Sequence, residues 1–159
     1  MIVLDADSAC FTYRVAGVCV HDGHVLLHRA ETDDFWALPG GRCELFETSC
    51  DTLEREMHEE MGEQVAVGRL LWVVENFFNH DGRRFHELGL YHTMALPEGS
   101  GRRDVRQEFA RREGELTLIF RWFPVDQLEE VRLYPSFLRT ALADLPRSPA
   151  HVIHTDPDD

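Results

Sequence analysis

The chain contains no lysine: all 16 of its basic residues are arginine. Arginine suits two-pronged recognition of phosphate, although a bias of overall composition accounts for the missing lysines more simply. Positive charge is scarce as well, since 29 Asp and Glu residues leave a formal net charge of -13. That balance argues against a broadly basic surface for nucleic acid. A phosphate ligand would need a cation to reverse the local sign. Cysteine is limited to Cys10, Cys19, Cys43 and Cys50, with no CxxC pair, so reduced thiols are expected rather than a disulfide framework. No apolar run approaches the roughly 18 residues that a membrane helix needs. The opening MIVLDADSAC is acidic where a secretion signal would be basic, so the expectation is a cytoplasmic protein without membrane contact. Repeats and linkers are also missing, and 159 residues suit one domain. Its expected core spans about 12–145, with a disordered acidic tail over about 150–159.

What is present begins with two β-rich runs, FTYRVAGVCV and HVLLHRA, separated by His21-Asp22-Gly23-His24, a short hairpin signal. A loop, ETDDFWALPGG, follows. Residues 48–61 hold neither Gly nor Pro and take helical periodicity, with Thr48 or Ser49 able to cap the start and Gly62 the end. Two longer runs, VAVGRLLWVVENFF and RFHELGLYHTMAL, are joined by Asn79-His80-Asp81-Gly82, a turn between antiparallel strands. Residues 97–115 read as a loop or short helical excursion, TLIFRWF as a strand, and short helices are expected over 125–130 and from about Pro135 to Asp144. The order of elements predicts an α+β fold or a mixed α/β/α sandwich.

The helix over 48–61 divides into a core side, Cys50, Leu53, Met57 and Met61, and a side that crowds Glu56, Glu59 and Glu60. Like charges three and four apart repel by a few tenths of a kcal/mol per pair, and no basic residue is expected at an offset that relieves them. A hard divalent cation, which takes oxygen ligands and shares them with phosphates, would offset that repulsion. Alone, EREMHEEMGE would be read as a solvated helix face. It is not alone: Gly41, five residues, Glu47, seven residues, Arg55-Glu56-Met57, one residue, Glu59-Glu60, one residue and Gly62 form one continuous pattern.

That pattern resembles the signature of the Nudix hydrolase family over Gly41 to Glu63, preceded by Leu38-Pro39-Gly40-Gly41. ENFF, HELGLY, RWFP and LYPSFL are similar to family segments at corresponding places, extending the resemblance over residues 12–145. Two positions depart from the family. Glu63 replaces a branched apolar residue and is expected to delay the next strand to Val65, and Phe46 stands where Gly is common. The resemblance implies a Nudix-type α/β/α sandwich with a mixed sheet, a loop-helix-loop motif and a C-terminal helix. It implies hydrolysis of a pyrophosphate bond by water, in a nucleoside triphosphate or a nucleoside diphosphate linked to another moiety, with two or three Mg²⁺ or Mn²⁺ ions. By carry-over Glu56, Glu59 and Glu60 are metal ligands, the Gly40 carbonyl completes their shell, and Glu47 braces Arg55. Glu59 is the first choice for general base, with Glu113 and Glu115 in reserve.

Substrate contacts are less well marked. Phe35, Trp36, Phe77 and Phe78 can stack on a base, although aromatics near strands more often fill a core. Arg29 can reach a phosphate or make a surface ion pair. His21, His24 and His28 lack a further ligand at a suitable spacing and read as surface residues. Asn79 and His80 occupy the positions where some subgroups carry a Pro or Tyr that flags ADP-ribose or diadenosine polyphosphates, so the substrate stays open. Alternatives are a nucleotide-sugar or dinucleotide pyrophosphatase in the narrow sense, an isomerase of the isopentenyl diphosphate type using Cys43, and a nucleotide-binding module without turnover. Family members often dimerise, which leaves a homodimer open.

Overall fold

Both Asp-Gly signals become hairpins. In the computed structural model, which describes residues 1–158, Asp22 and Gly23 both take positive φ, 47° and 71°, and so do Asp81 and Gly82, 49° and 74°. Such paired left-handed residues match the twist of the strands they join. The first hairpin links β3 (Val20–His21) to β4 (His24–Ala30), and the second links β6 (Ala66–His80) to β7 (Arg83–Ala95).

Around the long hairpin a mixed sheet assembles from β1 (Val3–Ala6), β2 (Ala9–Val18), β5 (Gly40–Arg42) and β10 (Ala150–Thr155), in the order β1-β2-β7-β6-β10, with β5 also on β2. The pairs β2–β7 and β6–β10 are parallel, and the others are antiparallel. The second sheet, β3-β4-β9-β8, is antiparallel throughout and adds β8 (Phe109–Glu113) and β9 (Leu116–Pro124).

Helix α1 (Ser49–Met61) is capped by Thr48, whose hydroxyl accepts from Asp51 N at 3.1 Å while Asp51 accepts from Thr48 N at 3.3 Å. It ends where Gly62 turns left-handed at φ 69°. Leu53, Met57 and Met61 are buried against Val15 of β2, Leu26 of β4 and Phe120 of β9, each contributing roughly 1.5–3 kcal/mol by leaving water. A second apolar cluster joins Leu27 of β4, Trp72 and Val74 of β6 and Tyr91 of β7 to Leu138 of α2 (Leu138–Ala141). The two clusters give the sandwich its layers, with α1 on one and α2 on the other.

Several expectations need correction. The strand after α1 starts at Ala66, one residue beyond the Val65 expected. Residues 125–130 form turns rather than a helix, closed by Val125 N donating to Gly23 O and Gln127 N to Pro124 O. The C-terminal helix is four residues long, not the ten expected from Pro135 onward. The region 97–115 contains a single helical turn at Gly101–Arg103 and then β8. The expected tail is largely structured, because β10 gives the outer edge of β6 a parallel partner and Asp156 N donates to Phe77 O. Asp159, also assigned to that tail, lies outside the described residues. His28 is buried in β4 rather than on the surface, because its side of the strand packs toward α1, against Glu60 and the Phe120 ring.

Candidate active site

The loop from Gly40 to Thr48 is tied to α1 by Arg55. Its Nε and Nη2 donate to the two carboxylate oxygens of Glu47 at 2.8 and 2.9 Å, and Nη2 also donates to Arg42 O at 3.1 Å. Nη1 turns the other way and donates to Glu56 Oε1 at 3.0 Å and Glu59 Oε2 at 3.3 Å. Arg55 therefore does sit at an offset that relieves the crowded carboxylates, contrary to the expectation from spacing. The guanidinium, together with donation from Glu44 N and Thr52 Oγ1, holds the Glu47 carboxyl down at about 2.

Glu56 and Glu60 respond in the opposite direction. Burial raises the Glu56 carboxyl, with Arg55 opposing, and pushes Glu60 well above the usual range, with Arg14 opposing. Glu60 Oε2 and His28 Nδ1 are both buried without a hydrogen-bond partner, 3.8 Å apart. Burial also depresses the His28 imidazole to about 3, so burial acts against the charged form of both partners. Gly41 has a steric purpose here: a Cβ on it would lie 2.0 Å from Glu56 Cδ.

A divalent cation fits the chemistry of these donors. Carboxylate oxygens are what Mg²⁺ and Mn²⁺ take, Glu60 presents one with no other partner, and Gly41 leaves the space that Glu56 fills. Among the described residues no three acidic, His or Cys side chains are gathered closely enough to hold an ion as they stand. The reason is visible: Arg55 engages Glu56 and Glu59, while Glu60 turns toward His28.

Beside this helix a cleft of about 890 Å³ opens between the sheets. Its floor includes Arg14, Asn76, Glu87 and Tyr91, and its walls include Phe35, Phe78, Leu118 and Tyr134. Arg14 joins cleft to helix: it donates to Leu38 O at 2.9 Å, and its charge acts on both Glu56 and Glu60. His28 likewise lines the cleft while facing Glu60.

Of the substrate candidates named from sequence, Phe35, Phe78 and Arg29 line the cleft. Arg29 is committed to the loop, donating through Nη1 to the carbonyls of Ala30, Glu31 and Asp33. Trp36 belongs to the core, packed edge-on against Phe123 and lying under Arg29 and Arg121. Phe77 is on the opposite face of the sheet, stacked on His86. Glu113 adds to the negative field at Glu60, whereas Glu115 is exposed in the turn between β8 and β9. Cys43 is buried and its thiol donates to Glu44 O and Glu47 O, so it braces the loop and does not face the cleft. Arg14, Asn76 and Glu87 were not singled out from sequence. Isolated polar residues inside apolar strand patterns are the signal that marks them.

Comparison with known proteins bears on the family and the fold. The NUDIX domain model matches residues 12–145. A Bacillus subtilis (strain 168) protein named "Putative ADP-ribose pyrophosphatase YjhB" is 27% identical over 115 residues, covering 72% of this chain and 50% of that protein. A "MutT-like protein" of Streptomyces ambofaciens is 44% identical over 63 residues, 39% of this chain and 41% of its own. The chain thus matches about half or less of the length of these curated relatives. The fold is shared with the crystal structure of an ADP-ribose pyrophosphatase from Streptococcus suis 89-1591, at TM-score 0.60 and 18% identity over 90% of this chain and 98% of that one. With the signature, the helix and the two-sheet fold in register over residues 12–145, the chain belongs to the NUDIX domain family.

Proposed function

We propose that this protein hydrolyses a pyrophosphate bond in a nucleoside diphosphate linked to another moiety, or in a nucleoside triphosphate, with a divalent cation. The observation that carries this reading is the meeting of an 890 Å³ cleft with the carboxylate helix at Arg14, His28 and Glu60. The cleft has aromatic walls for a base or sugar, and the helix has carboxylates for a cation.

Glu56, Glu59 and Glu60 would hold the cation, with the Gly40 carbonyl beside them. When bound, Mg²⁺ or Mn²⁺ supplies shielding of phosphate charge and a lower pKa for water. The remaining work belongs to the chain. Arg55, fixed by Glu47, orients Glu56 and Glu59. Arg14 lends positive charge where the cleft meets the helix and so favours a phosphate there. Glu59, the more exposed of the carboxylates on Arg55, takes the proton from the water that attacks phosphorus, with Glu113 as the second candidate.

The reading is tested by incubating the protein with nucleoside triphosphates, ADP-ribose, dinucleotides and nucleotide sugars, in Mg²⁺, in Mn²⁺ and in chelator, with Glu60→Gln as the blank. Cleavage at a pyrophosphate bond only by wild type and only with metal is the expected result. Inorganic pyrophosphate plus a monophosphate would identify a triphosphate substrate, and two monophosphates a diphosphate derivative. Tight binding with no metal-dependent product would favour a non-catalytic nucleotide module instead.

A further inference from the structure

A row of polar side chains crosses the large sheet, one per strand, and its two central members, Glu87 and Asn76, line the cleft. Backbone register places Thr12 of β2 opposite Glu87 of β7, Glu87 opposite Asn76 of β6, and Asn76 opposite His154 of β10. The flanking members have partners. Thr12 Oγ1 donates to Glu87 Oε2 at 3.2 Å, and His154 Nε2 lies 3.2 Å from Ser136 Oγ and 3.0 Å from Asp156 Oδ1. Asn76 is the exception: it is 4% exposed, lines the cleft, and its Oδ1 is buried with no hydrogen-bond partner. An unmatched buried amide oxygen destabilises a ligand-free protein. A core position flanked by Val74 and Phe78 on the same face of β6 would hold an apolar residue more cheaply.

We infer that Asn76 is the specificity-determining residue of this cleft, its Oδ1 accepting a hydrogen bond from an N–H or O–H of the nucleoside part of the substrate. This rests on the pyrophosphatase reading above. Glu87, on the adjacent strand, presents a second acceptor beside it. Two neighbouring acceptors suit a ligand edge with two neighbouring donors: the vicinal hydroxyls of a ribose, or the N1–H and exocyclic amine of a guanine. A site built around such groups rejects analogues that lack the donor, because the acceptor is then left unmatched.

The test pairs substrates that differ by one donor: ribo against 2′-deoxy and 3′-deoxy nucleotides, and guanine against hypoxanthine nucleotides. Wild type is expected to favour the donor-bearing member of at least one pair by tenfold or more in kcat/KM, and the pair that discriminates identifies hydroxyl or base as the source. Asn76→Leu is expected to bring that ratio close to one while its unfolding midpoint stays equal to wild type or rises. A structural amide would instead lower the midpoint and leave the ratio intact. Should the leucine variant not fold, Asn76→Ala makes the same comparison. Lack of discrimination in wild type, or a ratio that survives the substitution, overturns the inference while leaving the hydrolase reading standing. If wild type turns over nothing, the hydrolase reading falls, and calorimetric binding of the same pairs decides for Asn76. A preference lost in the variant supports it, and equal binding or no binding overturns it.

Discussion

Arg55 touches five oxygen atoms, from Glu47, Glu56, Glu59 and the Arg42 carbonyl, so one side chain sets both the loop and the carboxylate face. Its pairing with Glu47 has a definite pH signature. The Glu47 carboxyl lies at about 2 in the folded chain against 4.5 in its ordinary state, so its stabilising contribution is complete above about pH 4.5 and is lost as pH falls through about 2. The stability gap between wild type and Glu47→Gln, measured by denaturant unfolding, is expected to close over that window. A gap that stays constant with pH would show that Glu47 contributes through packing alone. The two adjacent glycines separate fold from chemistry. A Cβ at Gly40 would lie 2.1 Å from Val15 O, a backbone atom that cannot swing away, whereas a Cβ at Gly41 meets only the end of the Glu56 side chain. Gly40→Ala is expected to lower the unfolding midpoint by several degrees. Gly41→Ala is expected to leave it nearly unchanged while reducing the proposed pyrophosphate-bond hydrolysis by roughly 100-fold or more, a loss of the size seen when a reacting geometry is displaced by about 1 Å.

At the scale of elements, α1 was largely legible from its sequence: Thr48 as one of two candidate caps, Gly62 as terminator, and Leu53, Met57 and Met61 as the buried side, with Cys50, expected beside them, only partly buried. Those features are local, and local spacing reports them. Thr48→Ala is expected to cost about 1 kcal/mol, read as a shift in the denaturant midpoint without a change of slope. The hairpins at Asp22-Gly23 and Asp81-Gly82 were legible for the same reason. Strand β10 was not. AHVIHT is short, exposed at every second position and without regular alternation of polar and apolar residues, and what makes it a strand is the open edge of β6, more than 70 residues away in sequence. Arg55 against Glu59 is a local i,i+4 pair, legible in principle from spacing alone; that the same guanidinium also reaches Glu47 and Glu56 shows only in the fold. Asn76 and Glu87 escaped because a lone polar residue in an apolar strand gains meaning only when the neighbouring strands are known.

At the scale of the molecule, the net charge of -13 and the burial of Glu56 and Glu60 both act against ionising those two carboxyls. Both carboxyls are raised by burial, so ionising them near neutral pH without a counter-ion destabilises the fold. Mg²⁺ at about 100 times its dissociation constant is expected to add roughly 2.7 kcal/mol to the stability of wild type. Glu56→Gln and Glu60→Gln should show much smaller gains. Thermal melts of wild type and variants in Mg²⁺ and in chelator check this directly, and an identical response in wild type and variants would remove these glutamates from the proposed cation site.

The hairpin of β6 and β7 closes through Asp81-Gly82 and is the most local pairing in the large sheet, whereas β2–β7 and β6–β10 join strands far apart in the chain. Closing long loops is entropically slow, and local pairs form ahead of distant ones. The polar row that reaches the cleft at Glu87 and Asn76 draws one residue from each of those four strands, so it is assembled last. In pulsed hydrogen exchange during refolding, amides of Val73 to Phe78 facing β7 are expected to gain protection before those of His151 to Thr155. A nascent chain would then hold a stable hairpin for some time before it could bind any ligand.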